Sequence, residues 1–301
     1  MSDSSRTANE ITTQPDCWRR AAEAAAAAGS GAGLPRPGER VAVTGCGTSW
    51  FMAQAYAALR EASGQGVTDA FAASEFPLGR AYDRVVAITR SGTTTEVLDL
   101  LGALRGRTET LALTADPATP VMDAAIATAV LDWADEESVV QTRFATTALA
   151  FLRAGLDGPD PVLRAAEDAE SALAAPLPEV ALGAEQWTFL GTGWTYGLAQ
   201  EAALKMREAA GAWTEAYPAM EYRHGPISIT GPGRVTWILG PVPAGLTAEV
   251  AGAGGTAVAD SGLDPLADLV RVHRLAVAVA ESRGLNPDTP RGLTRSVILK
   301  G

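Results

Sequence analysis

Short apolar runs alternate along this chain with longer stretches in which apolar residues recur every three or four positions. RVAVTG (40–45) passes through a glycine turn into WFMAQAYAALREA, DRVVAI (83–88) passes through TRSGTTTE into VLDLLGAL, and ETLALTAD (109–116) repeats the short apolar character. Strands that alternate with helices predict βαβ units, and so mostly parallel sheets covered by helices: an α/β chain. Ahead of them, residues 9–28 predict one alanine-dominated helix, ended by the Gly/Ser cluster that follows. Residues 157–186, rich in Ala, Pro and Asp, predict a helix and a linker. The prolines of the tail after residue 284 forbid helix there and predict an extended run over the surface.

The second half repeats the first. GCGTSWFMAQAYAALRE aligns with GTGWTYGLAQEAALKMRE so that Gly45 falls on Gly191, Gly47 on Gly193, Ala53 on Ala199, Gln54 on Gln200 and Ala57 on Ala203, at a constant offset of 146 positions. The organisation read from this is an N-terminal helical arm (1–38), a first α/β unit (39–156), a linker helix region (157–186), a second unit (187–284) and a tail (285–301).

Composition narrows the function classes. With 301 residues, 47% of them hydrophobic, the chain can bury one large core or two small ones. A formal charge of −11 with no Lys/Arg-rich run predicts neither a nucleic-acid partner nor an anionic membrane surface. Cys17 and Cys46 are too few for a disulfide framework and lack zinc spacing, so no metal or other cofactor is expected. The polar start and the lack of a long apolar run predict no signal or membrane span, hence a cytoplasmic protein.

Four segments carry candidate chemistry. TRSGTTTE (89–96) links a strand to a helix, so its backbone N–H groups and hydroxyls face any anion docked at the helix N-terminus; the alternative is that its Ser and Thr merely cap the helix. Without a P-loop lysine, a monophosphate suits it better than a triphosphate. GCGTS (45–49), with Gly47, Thr48 and Ser49, enters its helix in the same way and lacks the third glycine of a dinucleotide fingerprint. On EAALKMREAAG, Glu201, Lys205 and Glu208 share a face; Glu201 and Lys205 read as a solvated surface pair, whereas Glu208, among alanines, reads as half-buried with a raised pKa. Glu221, Arg223 and His224 cluster before a Gly-Pro break, and the loop favours a proton-exchanging role for His224; His273, in a plain helical pattern, reads as structural or surface-exposed.

In order along the chain, NEITTQP, GCGTS with TRSGTTTE, VVQTRFATTAL, EAALKMREAAGAWTEAYPAMEYRHGP and NPDTPRGLTRSV resemble the motifs of the tandem SIS (sugar isomerase) proteins, in particular the isomerase half of glucosamine-6-phosphate synthase and its deglycase and deaminase relatives. The resemblance implies two flavodoxin-like SIS subdomains and a homodimer with shared active sites acting on a sugar phosphate. It puts Ser49, Thr89, Arg90, Ser91 and Thr94 on phosphate-binding positions, Glu208 on the base that moves a proton between C1 and C2, Lys205 on an adjacent lysine, and His224 on a ring-opening histidine given by the partner subunit. Gly47, Thr48, Gln141, Glu221 and Arg295 are further substrate-site candidates.

Departures from the family pattern are also visible. Arg90 stands where the synthase has glutamine, and Arg295 replaces a tail lysine, which argues against imine chemistry there. The arm follows Met1 directly, so no glutamine-hydrolysing domain is expected within this chain. The implied function is an aldose–ketose isomerase, deaminase or deglycase; a non-catalytic phosphosugar sensor is the alternative.

Overall fold

A computed structural model describes residues 5–28 and 33–299. The expected helix over 9–28 is two helices, α1 (Arg6–Thr12) and α2 (Gln14–Ala28). The break has a local cause. Pro15 has no N–H to offer the carbonyl of Ile11, which instead accepts from the Gln14 side chain at 3.3 Å. The glycines predicted to end the arm, within 29–32, lie outside the described residues.

The chain divides into two compact units. One comprises residues 16–137, 143–163 and 294–301. It holds β1 (Val41–Gly45), α3 (Thr48–Ala62), β2 (Thr68–Ala72), β3 (Arg84–Ile88), α4 (Thr95–Leu104), β4 (Glu109–Thr114), α5 (Val121–Ala124), β5 (Ala127–Val130) and α6 (Arg143–Asp157). Its sheet is wholly parallel in the order β2-β1-β3-β4-β5, with Val41 opposite both Thr68 and Arg84. Every residue of β1 and β3 is buried, which is why these strands read as unbroken apolar runs rather than alternating ones. Val85, Ala87, Leu101, Leu104 and Val121 lie in a core cluster on one side of this sheet.

The other unit comprises residues 1–15, 138–142 and 164–293. Most of α7 (Asp160–Ala174) belongs to it, with α8 (Glu179–Leu182), β6 (Gln186–Gly191), α9 (Thr195–Ala210), β7 (Trp213–Pro218), β8 (Arg234–Leu239), α10 (Leu246–Gly252), β9 (Thr256–Val258) and α11 (Pro265–Ser282). Its parallel sheet runs β7-β6-β8-β9, the same local order without a fifth strand. Gly211, left-handed at φ 56, ends α9, and Asp264 caps α11 by accepting from Leu266 N–H at 2.9 Å, ahead of Pro265. The tail after residue 284 contains no helix among its described residues and is mostly exposed.

Candidate functional site

In each sheet the strand order reverses direction between its first and third strands, and such a switch point opens a crevice beyond the strand C-termini. β1 enters α3 there through Gly45 and Gly47. A Cβ on Gly45 would stand 2.6 Å from that of Ser49 and 3.0 Å from the Ile88 carbonyl, and Gly47 has φ 55. The second unit repeats the arrangement: a Cβ on Gly191 would meet the Thr195 carbonyl at 2.3 Å, and Gly193 has φ 59. The aligned glycines of the two halves therefore meet the same two steric demands.

The loops then differ. In the second unit, the Thr195 hydroxyl accepts from Thr192 N–H at 2.8 Å and donates to Leu239 O at 2.8 Å, so that turn is closed on itself. Ser49, at the equivalent helical position of the first unit, is buried and its hydroxyl makes no hydrogen bond among the described residues. Across the switch point, Thr89 N–H donates to Leu113 O at 2.9 Å, but its own Oγ1 is buried with no partner among the described residues. Thr94 is the N-cap residue of α4, yet its side chain makes no capping bond. The capping alternative therefore fails for Thr94, and hydroxyls at 49, 89 and 94 stay open, as an anion cradle requires.

Arg90 is buried, 3.7 Å from the fully buried Glu136 carboxylate, and donates through Nη2 to Arg295 O at 3.1 Å. Glu136 also receives Arg143 N–H (2.7 Å) and Phe144 N–H (3.1 Å) from the first turn of α6. The Arg295 guanidinium binds the Asp135 carboxylate and the Glu136 carbonyl. Ser91 Oγ accepts from Thr93 N–H at 3.3 Å and from Thr93 Oγ1 at 3.1 Å. The Thr93 hydroxyl also bonds Ser296 Oγ at 2.9 Å.

In the second unit, α9 follows β6 and carries the predicted proton-transfer residues. Lys205 is 1% exposed, lies 3.7 Å from the fully buried Glu201 and binds the Glu208 carboxylate, which is 19% exposed. The expectation of a solvated Glu201–Lys205 pair is overturned: α9 is covered by its own sheet and by α11, so the face it gives these residues points inward. An ammonium so far from water is tolerable only against carboxylates. His273 of α11 joins them, with Nε2 3.9 Å from Glu201 and Nδ1 3.3 Å from the Gln14 amide nitrogen. Burial, reinforced by the Lys205 charge, pushes its pKa down to about 3, so the ring is neutral.

The other candidates are not drawn into this cluster. Glu221 and His224 are exposed on a 3-10 turn after β7, and no hydrogen bond or ion pair among the described residues links His224 to Lys205 or Glu208. Arg223 is held by both oxygens of Glu249 (2.8 and 2.9 Å) and by Ala244 O. Gln141 Nε2 is buried with no hydrogen-bond partner among the described residues. Thr48 is buried and Gly47 is the N-cap of α3. Sequence reasoning missed Glu136, Gln14 and the burial of Glu201, and of its two readings of His273 the structural one holds. The i, i+4, i+7 spacing of Glu201, Lys205 and Glu208 on a mostly apolar helix was the available signal.

No protein-family model matches the chain. Among curated proteins it is similar to the glutamine–fructose-6-phosphate aminotransferase (isomerizing) of Methanothermobacter thermautotrophicus, 29% identical, covering 87% of this chain and 52% of the relative. The protein of the same name from Sulfolobus acidocaldarius is 27% identical over 87% and 50%. The chain spans about half the length of these relatives. Among solved structures, glucosamine-6-phosphate deaminase from Thermotoga maritima matches at TM-score 0.81, 23% identity and 98% and 100% coverage of the two chains. The C-terminal domain of glucosamine-fructose-6-phosphate aminotransferase from Francisella tularensis matches at 0.82, with 20% identity over 96% and 99%. Tagatose-6-phosphate ketose/aldose isomerase from Escherichia coli matches at 0.79, with 17% identity over 99% and 96%. Among the described residues no helix is long and apolar enough to cross a membrane, and no group of three His, Cys, Asp or Glu is placed to hold a metal ion.

Proposed function

We propose that the chain is a SIS (sugar isomerase) protein and a sugar-phosphate isomerase-type enzyme, a reading supported by its fold and by its similarity to glutamine–fructose-6-phosphate aminotransferases. The substrate is an open-chain, C6-phosphorylated ketose or amino sugar. Its phosphate is taken by Ser49, Thr89, Ser91, Thr94 and the guanidinium of Arg90. The Glu208 carboxylate removes the proton from the carbon next to the carbonyl, and the enediol is reprotonated at the neighbouring carbon. With an amine at C2, the same proton shift yields a ketimine, which water converts to ketose and ammonia.

The observation that carries this reading is the contrast between the two switch-point turns: one leaves the hydroxyls of Ser49 and Thr89 open, the other consumes that of Thr195 internally. Support for Glu208 as the base comes from its partial burial against Lys205, which restrains the carboxylate. We read the two units as tandem copies, supported by their shared strand order and glycine geometry. The working state is a homodimer in which His224 serves the partner's site; exposure of His224, which has no hydrogen-bond partner among the described residues, supports this. A reducing cytoplasm suits the free cysteines Cys17 and Cys46.

The test is turnover. Incubation with glucosamine 6-phosphate, fructosamine 6-phosphates and C6-phosphorylated ketoses, with assay of ammonia, amine and aldose, should give product. Glu208→Gln should reduce kcat by about 10²- to 10⁴-fold, the contribution of a positioned base. Absence of product with every substrate, or undiminished turnover by the variant, would sink the mechanism.

A further inference from the structure

We propose that His273 is a positioning residue for the Lys205–Glu208 pair, locked by Gln14 in the tautomer that points an N–H at Glu201. The catalytic consequence rests on the function proposed above. The lock follows from donor and acceptor roles. The Ile11 carbonyl can only accept, so the Gln14 amide atom 3.3 Å from it is a nitrogen. That same nitrogen lies 3.3 Å from Nδ1 of His273 and has no lone pair to accept with, so Nδ1 is the acceptor and the neutral ring carries its proton on Nε2. Nε2 is buried, has no hydrogen-bond partner, and lies 3.9 Å from Glu201 Oε1. At that distance the N–H acts on the carboxylate as a dipole rather than through a hydrogen bond.

The effect passes along the cluster. Glu201 and Glu208 both lie at Lys205. Lys205 is almost wholly shielded from solvent, so its position responds to both. A dipole that holds Glu201 in place keeps part of the ammonium's attraction on that side, and so sets where Lys205 meets the Glu208 carboxylate. The position of Gln14 has its own cause in Pro15: the carbonyl left unserved by the proline anchors the amide that anchors the ring. The Gln14 side chain thereby ties α1 to the cluster.

Two variants and one spectrum test this. His273→Gln keeps a donor near Nε2, and His273→Leu removes it. Against glucosamine 6-phosphate, His273→Leu should lower kcat by up to about 100-fold with KM nearly unchanged, and His273→Gln should recover most of the loss. Equal loss in both variants, or an unaltered kcat in His273→Leu, overturns the proposal. Because the chain has two histidines, His224→Asn leaves one imidazole, whose ¹⁵N shifts should report protonation at Nε2 alone between pH 5.5 and pH 8, about the range in which a free ring would titrate. An Nδ1-protonated ring overturns the proposal even if turnover is normal and even if His273→Leu does not fold. The spectrum does not depend on activity, so failure of the lock is distinguishable from failure of the functional reading, which shows as no product from wild type.

Discussion

The backbone N–H of Thr95, at the start of α4, donates to the carbonyl of Val297 at 3.2 Å. The tail thus offers a peptide oxygen to the first turn of the helix that the cradle presents to an anion. Leu299 N–H returns a bond to Thr95 Oγ1 at 2.9 Å, and Arg295 O takes a donor from Arg90. Removing residues 294–301 should therefore release donors and tighten inorganic phosphate by about 5-fold, the worth of one hydrogen bond. Calorimetric titration of both forms checks this, and weaker binding by the truncated chain would contradict it.

Thr89→Val separates binding from stability. The hydroxyl it removes is buried and unpartnered, so the variant should melt at or slightly above the wild-type temperature. If that hydroxyl meets the phosphate, KM should rise by about 10- to 150-fold, since a bond to a charged group contributes roughly 1.5–3 kcal/mol. A drop in melting temperature with unchanged KM would make the residue a structural one.

Glu136→Gln should be costly out of proportion to its size. It leaves Arg90 buried beside a neutral amide and weakens the two N–H contacts at the start of α6. A loss of about 3–5 kcal/mol in urea unfolding is expected. Removing both charges together, in Arg90→Gln with Glu136→Gln, should recover part of it, because the penalty lies in the uncompensated ion.

His273 predicts an acid limb of stability. Its folded pKa of about 3 lies below the 6.5 of a free imidazole, so the unfolded chain takes up the proton first. The contribution is complete above about pH 6.5 and declines as pH falls toward 3, by about 1.4 kcal/mol per pH unit. Urea midpoints between pH 4 and pH 6.5 should show a wild-type slope that is shallower in His273→Gln; parallel slopes would refute the assignment.

The strand–turn–helix units were legible because fully buried parallel strands leave unbroken apolar runs, and because Gly45 and Gly191 answer a close approach that no other residue permits. The phosphate loop was legible as a strand-to-helix turn dense in hydroxyls. What escaped was depth. Periodicity put Glu201 and Lys205 on one face of α9 but could not say that α11 covers that face, since the packing partner is about 70 residues away in sequence. The split between α1 and α2 was written in Pro15 and was outweighed by the alanine run after it.

The internal closure of the second turn has a quantitative consequence. A chain with two switch points of the same glycine geometry offers, by topology alone, two equivalent anion sites. Because the Thr195 hydroxyl is already spent on Thr192 and Leu239, the expected saturation stoichiometry is one phosphate per chain.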